Sequence, residues 1–98
     1  MTSNELLAKL QTMEPALRQA GIIHLSVFGS AARNQSTRDS DIDLLAEFDP
    51  ARRISILDIA SLQVALTETL GRPVDLVEMR SLKPTLRDSI AADTVCAF

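Results

Sequence analysis

Asp41 and Asp43 stand two residues apart in the segment Asp41-Ile42-Asp43-Leu44-Leu45-Ala46. On a β-strand that spacing projects both carboxylates from one face, an arrangement suited to a hard cation such as magnesium. Ten residues separate Asp41 from Ser30, which follows Gly29 at the end of an apolar stretch. A glycine where a strand turns into a helix lets the backbone approach a ligand, and the free amides of the helix start point at an anion. Gly29 and Ser30 therefore suit a phosphate. Asp75 comes thirty-two residues after Asp43, far enough for a crossover helix to bring the chain back to a neighbouring strand. It can complete a carboxylate triad. Two cations roughly 3.5 to 4 Å apart, held by such carboxylates and by triphosphate oxygens, would orient the attacking and leaving oxygens of an in-line displacement. Asp75 would then ligate the ion that activates an acceptor hydroxyl and take its proton as general base. Arg33, one turn after Ser30, would neutralise phosphate charge. Singly these residues have ordinary uses: Gly29-Ser30 as a turn, Asp43 as an edge charge against aggregation, Asp75 as the polar half of an alternating strand. Only the combined spacing speaks for a site.

The elements that must carry these groups are legible on either side. Leu6, Leu10, Met13, Leu17 and Ala20 form the stripe of an amphipathic helix, with Thr2 or Ser3 able to cap its start and Gly21 to close it. Pro15 predicts a kink or restart near Glu14. Residues 24–28 read as a strand bounded by Gly21 and Gly29. In a second strand Ile42, Leu44 and Ala46 share one side and Asp41, Asp43 and Leu45 the other, until Phe48-Asp49-Pro50 ends it. Residues 54–70 form the longest helix, with Ile59, Leu62, Leu66 and Leu70 on one face and Gly71 just beyond. Leu57 and Val64 fall on a different face, so this helix is either central or meets a partner. Residues 74–79 read as a third strand, Pro84 opens a short helix with Leu86 and Ile90, and residues 94–98 add an edge strand. The whole is an α/β fold, a small mixed sheet flanked by helices, in one domain spanning 1–98.

Composition narrows the function. With 98 residues, 46% hydrophobic and 23% charged, the chain builds a core and is not disordered. Ten basic against thirteen acidic side chains give a net charge of -3, the wrong sign for stand-alone nucleic-acid binding. The absence of Trp and Tyr, with only three Phe, removes the stacking platforms of single-strand binders. One cysteine, Cys96, forms neither an internal disulfide nor a thiolate cluster, which makes the cytoplasm the expected compartment. Cys96 is expected to be a small buried hydrophobe and His24 a structural or surface residue. The polar start and the lack of any apolar run near ~18 residues argue against a signal peptide or a membrane span.

Gly29-Ser30, the ten-residue spacer, Asp41-x-Asp43 and Asp75, with the flanking words FGSAAR, SDIDLL and GRPVDLV, resemble the minimal nucleotidyltransferases (MNT) of the DNA polymerase β superfamily. The likeness covers essentially the whole chain, and the bare spacing alone would arise by chance in about one chain in 10³ of this length. Members commonly carry Gly where this chain has Asn34, a mild departure because Asn tolerates a left-handed backbone. The resemblance implies magnesium- and ATP-dependent transfer of a nucleotidyl group to an acceptor hydroxyl. It also implies a separate protein partner, often a HEPN-domain ribonuclease toxin that such proteins antagonise, in some cases by adenylylating it. A non-catalytic module that inhibits its partner by occlusion is the alternative. Transfer to a small molecule is less favoured, because the drug-modifying relatives carry an added domain that this chain lacks.

Overall fold

The structure, a computed structural model, describes residues 3–29, 41–85 and 94–98. Pro15 divides the N-terminal amphipathic stretch into two helices, α1 (Ser3–Thr12) and α2 (Glu14–Gln19), with Met13 between them. The break falls where the sequence puts it, because Pro15 occupies the first turn of α2, where its missing amide costs no hydrogen bond. Strand β1 (Ile22–Phe28) begins two residues earlier than its pattern suggests. Ile22 pairs with Phe48 and is fully buried, and the ladder is irregular between Ile22 and His24.

Strand β2 (Ile42–Phe48) leads through a loop into helix α3 (Ile56–Leu70), which returns the chain to β3 (Val74–Glu78) and a single 3-10 turn at Met79–Ser81. A capping box starts α3: the Ser55 hydroxyl accepts from the Asp58 amide, and the Asp58 carboxylate accepts from the Ser55 amide. Those two bonds hold the Asp58 carboxyl below its usual range. Gly71 ends the helix at φ +70°, and nothing crowds the place of a Cβ there, so backbone conformation alone favours glycine. Strand β4 (Val95–Cys96) completes the sheet in the order β3-β2-β1-β4, with β2 parallel to β3 and the other pairs antiparallel. The helix expected around Leu86 and Ile90 lies mostly outside the described residues, although Pro84 and Thr85 are helical. The capping contribution expected of Thr2 or Ser3 falls outside the described side chains as well.

Alternation along the strands builds the core. Leu25 and Val27 of β1, Ile42, Leu44 and Ala46 of β2, and Val74 and Leu76 of β3 turn to the same side, where Leu6, Leu10 and Leu17 of the first two helices and Leu66 and Leu70 of α3 cover them. Ile59 and Leu62 pack against this cluster half-buried. Leu45 is buried too but lies outside the cluster, on the face that carries Asp43. The C-terminal strand is held by Gln11, which donates to the Ala97 carbonyl, and by the Arg18 guanidinium 5.0 Å from the Phe98 ring centre.

Cys96 corrects an expectation, since it is exposed rather than buried. Register explains why: Cys96 lies opposite Ser26, whereas the core residue Val27 lies opposite Val95. Cys96 therefore takes the face turned away from the core. Among the described residues no helix is long and apolar enough to cross a membrane.

Leu57 is 78% exposed and Leu66 is 0% exposed, so the two leucines of α3 are expected to respond differently to truncation. Urea denaturation should show Leu66→Ala costing about 3 kcal/mol of stability, while Leu57→Ala stays within about 0.5 kcal/mol of the parent.

Candidate active site

Strands β2 and β3 start, and β1 stops, at one end of the sheet. Phe28 lies opposite Asp43, and Asp43 lies opposite Asp75 on the parallel neighbour. The three positions form one row across three strands, on the face away from the core. Asp41 precedes β2 at the same end. Asp43 is half-buried, whereas Asp41 and Asp75 are exposed.

Gly29 closes this row from the β1 side. Its φ of +71° is the left-handed conformation, and a Cβ built there would come within 2.5 Å of Asp43 Oδ2 and 3.5 Å of Asp43 Cγ. Glycine is needed twice over, for the backbone conformation and for the close approach to the carboxylate. What sequence reasoning assigned to a ligand, room for close backbone approach, is thus also used by a side chain of the site.

The electrostatics follow from this crowding. Burial pushes the Asp43 carboxyl above its ordinary value, and the charges of Asp75 and then Asp41 push it the same way. Among the described residues none acts in the opposite direction, so those residues supply Asp43 with neighbouring negative charge alone. Asp41 and Asp75, chosen from the sequence with Asp43, both lie within electrostatic reach of it. Among the described residues, however, no group of three His, Cys, Asp or Glu side chains is arranged as it stands to hold a metal ion. Ser30 and Arg33, expected to bind phosphate, lie outside the described residues.

Two side chains that sequence reasoning passed over also touch this region. Thr67 Oγ1 accepts from the Val74 amide at 3.2 Å and Gln63 Oε1 from the Leu76 amide at 3.0 Å, so α3 bonds the backbone on either side of Asp75. A polar pair four residues apart, set among Ile59, Leu62, Leu66 and Leu70, is the signal that was available. A cleft of about 330 Å³ lies elsewhere, lined by Ala20, Arg52, Arg53, Ile54 and Leu62 among others. Those residues precede β1 or follow β2, which puts the cleft at the opposite end of the sheet from the carboxylates, and none of the row lines it.

Comparison with known proteins gives concordant matches. The family model described as "Polymerase beta, Nucleotidyltransferase" matches residues 11–98. A Methanocaldococcus jannaschii protein assigned as a protein adenylyltransferase is 39% identical over 95 residues, 97% of each chain. A solved structure assigned as a minimal nucleotidyltransferase superposes with a TM-score of 0.83 at 36% identity, over 97% of this chain and 95% of that one. A chain from the complex of a tri-AMPylated Shewanella oneidensis HEPN toxin with its MNT antitoxin superposes with a TM-score of 0.69 at 20% identity, over 93% and 70% of the two chains. At that identity the last likeness is one of fold.

The raised Asp43 carboxyl fixes the sign of a pH effect. The folded protein holds this proton more tightly than the unfolded chain does, so the contribution of Asp43 to stability declines as pH rises from about 3.9 through its raised value and stays lost above it. Asp43→Asn removes the charge and should raise the thermal midpoint near pH ~7, with the gain fading by pH ~3. Midpoints measured by circular dichroism at both pH values check this, and a lower midpoint for Asp43→Asn at neutral pH would contradict it.

Proposed function

The chain belongs to the polymerase β nucleotidyltransferase family, and we propose that it transfers the adenylyl group of ATP to a hydroxyl of a partner protein, a HEPN-domain toxin for which it is the antitoxin. One observation carries this function: Asp43 and Asp75 stand abreast on parallel strands while the Gly29 backbone closes on Asp43. The adenylyl donor is supported by the Methanocaldococcus relative assigned as a protein adenylyltransferase. The partner is supported by the fold shared with a chain of the AMPylated toxin complex.

In such a transfer the acceptor oxygen forms a bond to the α-phosphorus, the bond from that phosphorus to the bridging oxygen breaks, and pyrophosphate leaves. The hydroxyl proton needs a base, and Asp75 is the exposed carboxylate of the row that an incoming partner can reach. Amides at Ser30 and the Arg33 side chain are assigned to the phosphates. The donor set fits magnesium: three carboxylates offer hard oxygens, and the described neighbours of Asp43 add negative charge to it. Asp41, Asp43 and Asp75 would hold it, the two exposed side chains being free to rotate toward Asp43. Bound magnesium, two ions in this reading, would neutralise triphosphate charge and acidify the acceptor hydroxyl. Use of ATP as donor supports the cytoplasm as the compartment in this reading.

Occlusion is a second reading, favoured by one feature of α3. Ile56, Leu57 and Val64 are 84%, 78% and 57% exposed, apolar side chains that a partner docked on α3 would cover. Such a partner would be inhibited without chemistry.

The deciding experiment is intact mass spectrometry of a co-expressed HEPN-domain partner after incubation with the protein, ATP and Mg²⁺. Adenylyl increments are expected, formed at less than one equivalent of the protein, and Asp43→Asn should slow their formation by at least ~10²-fold. An unmodified partner that is still bound and inhibited would replace catalysis with occlusion.

A further inference from the structure

Among the described residues Asp75 sits on the outermost strand of the sheet, with a strand partner on one side. On that side β3 is bonded to β2, as in the 2.8 Å bond from the Ile42 amide to the Pro73 carbonyl. Successive amides of a strand point to opposite edges, so those of Val74 and Leu76 point away from β2. Left to water, this edge could drift, and the repulsion between Asp43 and Asp75 would favour drift. Both amides are instead taken by side chains of α3, Val74 by Thr67 and Leu76 by Gln63, in half-buried bonds. The spacing matches: four residues of helix rise about 6 Å, and two residues of strand advance about 6.6 Å. Gln63 and Thr67 are thus two rungs between helix and strand, and they bracket Asp75. The helix bearing them is itself anchored, since Leu66 and Leu70, interleaved with the rungs, are buried in the core.

We infer that Gln63 and Thr67 are positioning residues for adenylyl transfer, fixing through the Leu76 and Val74 amides where the Asp75 carboxylate stands relative to Asp43. Neither touches the reacting groups. This rests on the assignment of Asp75 as the third carboxylate. Ordinary edge protection predicts only a loss of stability when the rungs are removed, whereas positioning predicts a loss of ligand affinity in protein that is still folded.

The probe is Mn²⁺ together with α,β-methylene-ATP, with affinity measured by calorimetry and the thermal midpoint recorded for each variant. Thr67→Val removes one acceptor at constant shape, and Gln63→Met removes the other at similar length. The double variant is expected to bind the probe roughly tenfold more weakly and each single variant about threefold more weakly, within the range of outer-shell partners. Thr67→Ser, which keeps the hydroxyl, should restore affinity whatever it does to the midpoint. Wild-type affinity in the folded double variant, or in both single variants if the double does not fold, overturns the inference. Asp75→Asn separates the two layers. Unchanged affinity in that variant would remove the assignment of Asp75 and the positioning role with it. Weaker binding in Asp75→Asn combined with wild-type affinity in the rung variants would overturn the positioning role alone.

Discussion

Parallel pairing of β2 with β3 forces Asp43 and Asp75 side by side, a juxtaposition that like charges oppose. Burial first, and that opposition after it, raise the Asp43 carboxyl, and no attraction from the described residues offsets them. What holds the acids together is the other half of the same two strands. Ile42, Leu44, Val74 and Leu76 alternate with them and are buried in the core, so moving either carboxylate along its strand would drag apolar side chains toward water. Burying one such side chain is worth ~1.5 to 3 kcal/mol, and several act in concert. Repulsion between two carboxylates near the surface, spread through high dielectric, is the smaller effect. The period of two therefore builds the core and sets the acids in register at once.

Gly29 adds a steric constraint to the electrostatic one. The Asp43 carboxylate occupies the space a Cβ at Gly29 would need, so the end of β1 closes on it. The carboxylate is thus confined by the strand before it in sequence and faced by the charge of the strand after it. Helix α3 serves both arrangements, through Leu66 and Leu70 in the core and through Gln63 and Thr67 at the sheet edge.

Much of this was legible in the sequence because the governing signals are local. Pro15 located the break between α1 and α2, Gly71 the end of α3, and the alternation in β2 assigned Asp43 to the face opposite Ile42 and Leu44. Spacing marked Asp41, Asp43 and Asp75, and the fold brings Asp41 and Asp75 within electrostatic reach of Asp43. The misses are non-local. Cys96 reads as a buried residue until its pairing with Ser26 assigns its face. Ile22 joins β1 because Phe48 lies opposite it, a partner that no pattern around Gly21 reveals. Gln63 and Thr67 look like polar interruptions of an apolar helix face until the order of the described strands leaves β3 outermost, with amides that take acceptors from α3.

Catalysis and occlusion place different demands on the same small surface, and the fold separates them in space. Ile56 and Leu57 lie at the start of α3, beyond the end of β2, whereas the carboxylates lie where β2 begins. Seven strand residues span about 20 Å, so a partner seated on the start of α3 need not have a hydroxyl near Asp75. To be modified, it must reach along the sheet with an extended segment or bind elsewhere. A broad apolar contact also slows dissociation, and a transferase acting below one equivalent must release each modified partner. The exposed leucine and isoleucine would therefore favour a long-lived complex, while the carboxylate row favours turnover. Modification that weakens the contact, by adding charge to the partner, would reconcile the two and let each molecule act repeatedly.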